Sequence, residues 1–179
     1  MKWVFAVLLC GSQVAAETCP ANPDHDEELS RILGELRVSR GTIEAGLLSD
    51  QLWQLWTDAP DQRAQDLLDE GMQRRSRFDL AGAARVLDEL VSYCPDYAEG
   101  YNQRAFANYL RRDFVSALED LDRTLEIIPD HIGALSGKSL TLMGLGRTDE
   151  AQESLRQALD LNPWLPERTL LTEPMGIDI

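Results

Sequence analysis

The stretch "CPDYAEGY" at residues 94–101 returns in outline as "IPDHIGAL" at 128–135 and as "NPWLPERT" at 162–169, and that recurrence decides the fold. Pro95, Pro129 and Pro163 stand 34 residues apart. Ala83, Ala117 and Ala151 keep the same step, as do Leu87, Leu121 and Leu155. Three columns in one period divide the chain into units 64–97, 98–131 and 132–165.

Within each unit the apolar spacing predicts two helices. In the middle unit Tyr101, Ala105, Tyr109 and Leu110 mark the first helix. Phe114, Ala117, Leu118, Leu121, Leu125 and Ile128 mark the second, because apolar side chains three and four residues apart share one helical face. Pro129 ends that helix, since proline has no N–H for the next turn. Asp79, Asp113 and Asp149 stand where the second helices begin and are expected to cap their free amides. A lone hairpin of this kind cannot bury its apolar face, so neighbouring hairpins must stack.

These columns resemble the tetratricopeptide repeat family, with its 34-residue pattern W-x2-L-G-x2-Y, A-x3-F and P. Leu67, Tyr101 and Leu135 fill the large aromatic slot, and Gly71, Ala105 and Ser139 the small one. Ala83, Ala117 and Ala151 fill the alanine slot, with Leu87, Leu121 and Leu155 in place of the aromatic four residues on. Small residues belong where the two helices approach closely, because a larger side chain would overpack the contact. Glu70, Arg104 and Lys138 depart from the pattern's leucine, and their stems can cover apolar surface while the charges reach water. The resemblance covers 64–165. It implies an all-α fold, a right-handed α-solenoid of three 34-residue helical hairpins with an N-terminal helical cap.

Residues 17–63 do not follow the repeat. Leu29, Ile32, Leu33 and Leu36 lie on one helical face, and Leu48, Leu52, Trp53 and Trp56 on another. Two further helices are expected there, packed against the first repeat, with the tryptophans in the core. Pro163 just before the tail, 166–179, and Pro166 and Pro174 within it leave room for only a short helix. Leu170, Leu171, Met175, Ile177 and Ile179 then either fold back over the third repeat or enter a neighbour's groove, which would make the protein a homo-oligomer.

Residues 1–16 read as a signal peptide: Lys2, the apolar "WVFAVLLC", and "VAA" at 14–16, with the mature chain beginning near Glu17. The expectation is export to the periplasm. An uncleaved membrane anchor is the alternative, and lipidation of Cys10 is disfavoured by Leu9 directly before it. Signal, helical lead and repeats together resemble the small exported repeat proteins of Gram-negative bacteria. After cleavage Cys19 and Cys94 remain. In an oxidising compartment they can form a disulfide; otherwise Cys94 is a small apolar helix-end residue and Cys19 a free thiol.

The formal charge of −14 repels a phosphate backbone, so no nucleic-acid partner is expected. Acidic residues gather on the second helices, at Asp88, Glu89, Glu119, Asp120, Asp122, Glu150 and Glu153, as an expected solvated face. Arginines at the ends of the first helices, Arg74, Arg75, Arg77, Arg111, Arg112 and Arg147, suit the negative helix ends. No catalytic residues are expected. "GALSG" at 133–137 is not the G-x-S-x-G elbow, Gly144-Leu145-Gly146 lacks the strand of a phosphate loop, and His25 stands in an acidic lead. The sequence therefore predicts no enzyme, no cofactor, no metal and no small-molecule substrate.

The family resemblance instead implies a concave groove lined by the first helices, binding a peptide or a protein segment. Carried over by register, its residues are Leu68, Met72 and Arg75; Asn102, Phe106 and Tyr109; and His131, Gly133, Ser136, Leu140 and Met143. The family's clamp for a C-terminal carboxylate needs polar or cationic groups where this chain has Leu68, Met72 and Gly137. The expected role is that of an adaptor or assembly factor without the chaperone-tail clamp.

Overall fold

The computed structural model describes residues 18–172. The signal reading at 1–16 and the tail residues Met175, Ile177 and Ile179 lie outside them. The described residues are all-helical: α1 Asp26–Arg37, α2 Thr42–Trp56, α3 Gln62–Ser76, α4 Leu80–Tyr93, α5 Ala98–Leu110, α6 Phe114–Ile127, α7 Ile132–Gly144 and α8 Thr148–Leu161, then a short 3-10 helix, Pro166–Leu170. Helices α3 and α4, α5 and α6, and α7 and α8 pair as hairpins, and each hairpin stacks on the next through α4 against α5 and α6 against α7.

The repeat columns form the interior. Ala83, Ala117, Ala151, Leu87 and Leu155 are fully buried, and Leu121 nearly so. At Gly71 an added Cβ would sit 2.6 Å from Leu87 side-chain atoms, so the small slot is imposed by helix contact. Asp79 and Asp113 cap α4 and α6 by accepting from the amides of Gly82 and Ser116. Asp149 does not cap: Arg147 holds that position of α8, and Asp149 lies inside the first turn. The cap register runs 79, 113, 147, which puts the third unit's carboxylate two residues too late.

Two of the three charged residues in the leucine slot join neighbouring repeats, while Glu70 pairs with Arg74 on its own helix. Arg104 reaches back to Asp88 on the preceding hairpin, and Lys138 makes the equivalent contact to Asp122 at 2.6 Å. Arg104 also forks onto Asp120, at 2.9 and 2.5 Å. Asp120 is therefore buried rather than part of a solvated face, because the guanidinium replaces its water.

Helices α1 and α2 form the expected two-helix cap, but on the other end of the array. Their buried face, with Ile32, Leu36, Leu48, Leu52 and Trp56, joins Ile132 and Leu135 of α7 and Ala158 and Leu161 of α8 in one core. The Trp164 indole donates to the Ser39 carbonyl at 3.0 Å, and the Asn162 amide to the Ser49 hydroxyl at 3.3 Å. The expectation of packing on the first repeat is corrected. Prolines 163 and 166 stop any capping helix after α8, so its outer apolar face is closed by the N-terminal hairpin instead.

The chain reaches that position across the first hairpin. Cys19 and Cys94 form a disulfide, Asn22 donates to the Asp96 carbonyl, and the Tyr97 hydroxyl donates to the Trp56 carbonyl at 2.9 Å. Burial raises Tyr97 far above the ordinary phenol range, so the hydroxyl keeps its proton for that bond. After α8 the chain folds back on the third repeat. Gln152 donates to the Leu170 carbonyl and accepts from the Thr172 amide, each at 3.0 Å.

Candidate functional site

Helices α3, α5 and α7 line a cleft of about 270 Å³ with α2 and the 3-10 helix at its margin. Its surface is mainly apolar, from Trp53, Phe106, Tyr109, Leu121 and Leu140. The size lies just under the roughly 300 Å³ at which small-molecule sites usually begin. An open apolar trough of this size fits one or two side chains of an extended segment.

Seven of the eleven residues expected in the groove line it: Arg75, Asn102, Phe106, Tyr109, Gly133, Ser136 and Leu140. Their clustering follows from register, since positions 34 apart on stacked hairpins fall on one surface. Phe106 stays 46% exposed and forms the accessible aromatic wall. Gly133 leaves an open patch of floor, where an added Cβ would meet the His131 ring at 3.4 Å and nothing closer.

His131 is not a groove contact. It is 1% exposed, its ring stacks on Trp56 with centroids 4.0 Å apart, and its Nδ1 accepts from the Ala134 amide as the N-cap of α7. With Nδ1 accepting, Nε2 carries the proton and donates to Glu99, 2.9 Å away. Met72 is also corrected: it leans on the first hairpin's core rather than lining the cleft. Met143 and Leu68 do not line it either, and Leu68 is fully buried.

Beneath the floor runs a buried polar network. Glu99 accepts from His131, from the Asn102 amide at 3.2 and 3.1 Å, and from the Gln103 amide. Gln103 accepts in turn from Arg75 at 2.6 Å. The Arg75 guanidinium lies 4.2 Å from the Phe106 ring centroid, a favourable cation–π position. Burial draws Arg75 below its ordinary value, and the negative Glu99 partly offsets this. The network fixes the rotamers of Asn102 and Arg75, so the polar groups of the cleft are oriented before anything enters.

Seven lining residues were not among those expected: Trp53, Gln103, Ala105, Leu121, Gly137, Thr141 and Glu167. Trp53, 40% exposed, lines the cleft instead of joining the core with Leu48, Leu52 and Trp56. The excess of apolar residues around α2 beyond that face, Ile43 and Leu47 as well as Trp53, was the available signal. Gln103 and Glu167 also line the cleft. Nothing local marks Glu167, which arrives from a tail segment between two prolines. Among the described residues no group of three or more His, Cys, Asp or Glu side chains has the geometry to hold a metal ion, and no helix is long and apolar enough to cross a membrane.

No family model matches the chain. A TPR repeat-containing protein of Rhizobium etli is 25% identical over 159 residues, covering 89% of this chain and 78% of the relative. Tetratricopeptide repeat protein 36 of Xenopus tropicalis is 33% identical over 114 residues, covering 62% of this chain and 56% of the relative. The chain thus spans about three-quarters of the rhizobial protein and little more than half of the frog one. Among solved structures, the first TPR of Spaghetti (RPAP3) bound to the HSP90 peptide SRMEEVD superposes with a TM-score of 0.59 at 20% identity. That match covers 61% of this chain and 86% of that one.

Proposed function

We propose, for a chain that belongs to the tetratricopeptide repeat family, that the cleft between α3, α5 and α7 binds a peptide or protein segment, without catalysis. The observation that carries this reading is the open apolar trough walled by Trp53, Phe106 and Tyr109 over a pre-oriented polar floor. Apolar walls supply affinity, and the fixed amide of Asn102 and guanidinium of Arg75 supply direction. The RPAP3 domain of the same fold holds a peptide, which supports the class of ligand. The acidic peptide of that complex is a poor guide to this one: Leu68 is buried, and Met72 and Gly137 carry no charge for a carboxylate clamp.

The protein acts as an adaptor or assembly factor in the bacterial envelope after export. The signal-like start supports that location. So does the Cys19–Cys94 disulfide, a bond suited to an oxidising compartment.

Cross-linking in intact cells tests the function. The full-length protein is expected to capture a partner other than itself. Phe106→Ala with Tyr109→Ala should remove that adduct, as should Gly133→Leu, whose new side chain fills the open floor while helicity is kept. Adducts that survive in both variants, or adducts between copies of this chain alone, would overturn the reading.

A further inference from the structure

We infer that the segment received by the groove presents an apolar centre flanked by one acidic and one basic side chain, the acid directed to Arg75 and the base to Glu167. The inference rests on the groove reading above and specifies its occupant. Both charged groups line the same cleft, and they are not paired with each other.

Arg75 is half-buried against Phe106 and donates one hydrogen bond, to Gln103. A guanidinium carries five N–H donors in a fixed fork. Among the described residues no carboxylate lies within ion-pair distance of it, and Glu99 is reached only through Gln103. It differs in this from Arg74, Arg104, Arg123 and Arg147, each paired to at least one carboxylate.

Glu167 is the complementary case. It stands on the 3-10 helix Pro166–Leu170, which Gln152 and Thr172 help to hold against α8. Its Oε2 is buried and has no hydrogen-bond partner among the described residues. A carboxylate oxygen withdrawn from water without a donor is costly, and a bound ammonium or guanidinium removes that cost.

Single-sign occupants are disfavoured. An acidic segment would satisfy Arg75 but bring like charge to Glu167, on a chain whose formal charge is already −14. A purely basic one would press a cation on Arg75. An apolar centre with one charge of each sign satisfies both groups and covers Trp53, Phe106 and Leu140 between them.

The probes are fluorescein-labelled nonapeptides with a central Leu-Phe-Leu and Glu, Lys or Ser at each flank, titrated into the full chain by anisotropy. Peptides with Glu on one flank and Lys on the other are expected to bind roughly tenfold tighter than the Ser-flanked peptide. Arg75→Met should abolish the preference for Glu and keep that for Lys. Glu167→Lys should turn the preference for Lys into one for Glu, a gain that a merely unfolded variant cannot show. Equal binding of the Ser-flanked peptide, or preferences unmoved by both substitutions, overturns the inference while leaving the groove occupied. Binding that ignores Phe106→Ala with Tyr109→Ala overturns the groove reading and the inference together.

Discussion

Phe78 and Arg112 adopt left-handed backbone conformations, with φ of 62° and 61°, at the turn between the two helices of their hairpins. The third repeat places Gly146 at the same register with φ of 74°. Glycine accepts that geometry freely, whereas a residue with Cβ is strained there by about 1 kcal/mol or more. Phe78 gains little in return, since its side chain is 80% exposed. Phe78→Gly is expected to stabilise the protein by about 0.5–1 kcal/mol, the relief of strain being partly offset by a freer unfolded chain. A urea melt with a higher midpoint and unchanged slope would bear this out; a lower midpoint would mean that the ring is held by contacts its exposure does not suggest.

Among the elements, the α3–α4 hairpin shows how caps couple helices to pH. Asp79 accepts from Arg74 at 2.8 Å and from the Gly82 amide at 3.0 Å. The Arg74 bond, then the Gly82 amide, hold its carboxyl below the usual carboxylate range. A depressed native value means that the unfolded state binds the proton more readily. The contribution is therefore present above the unfolded value and is lost as pH falls through the native one, below about pH 4. Asp79→Asn should lower the melting temperature at neutral pH and flatten its decline below about pH 4; an acid limb as steep as that of the wild type would assign it to other carboxylates. The Arg104–Asp88 and Lys138–Asp122 pairs repeat one geometry between successive hairpins. Their value lies in fixing register between repeats, since partly exposed pairs contribute only about 0–1 kcal/mol each.

At the scale of the whole molecule, the N-terminal hairpin closes the C-terminal end of its own array. The route is held by the Cys19–Cys94 disulfide, which spans 75 residues. On the loop-entropy account such a bridge contributes about 4 kcal/mol by restricting the unfolded chain. Cys19→Ser should cost most of that in a denaturant melt, and reductant should bring the wild type to the same midpoint. A loss below about 1 kcal/mol would show that the contacts of Trp56 and Trp164 restrict the chain without the bridge. Closure also shapes the groove: α2 carries Trp53 to its margin, and the segment after α8 carries Glu167.

The sequence by itself determined the all-helical class, the repeat register, the close contact at Gly71 and most of the groove floor. Each of these follows from periodicity: positions 34 apart on stacked hairpins share an environment, so one column predicts the next. Only the tertiary structure decided which end the N-terminal helices cap, that Cys19 meets Cys94, that His131 turns inward and that Trp53 and Glu167 turn to the cleft. An amphipathic face records that it is buried, not against what. His131 shows the reason most plainly: its place is set by Glu99 on one neighbour and Trp56 on another, and no spacing along the chain encodes either contact.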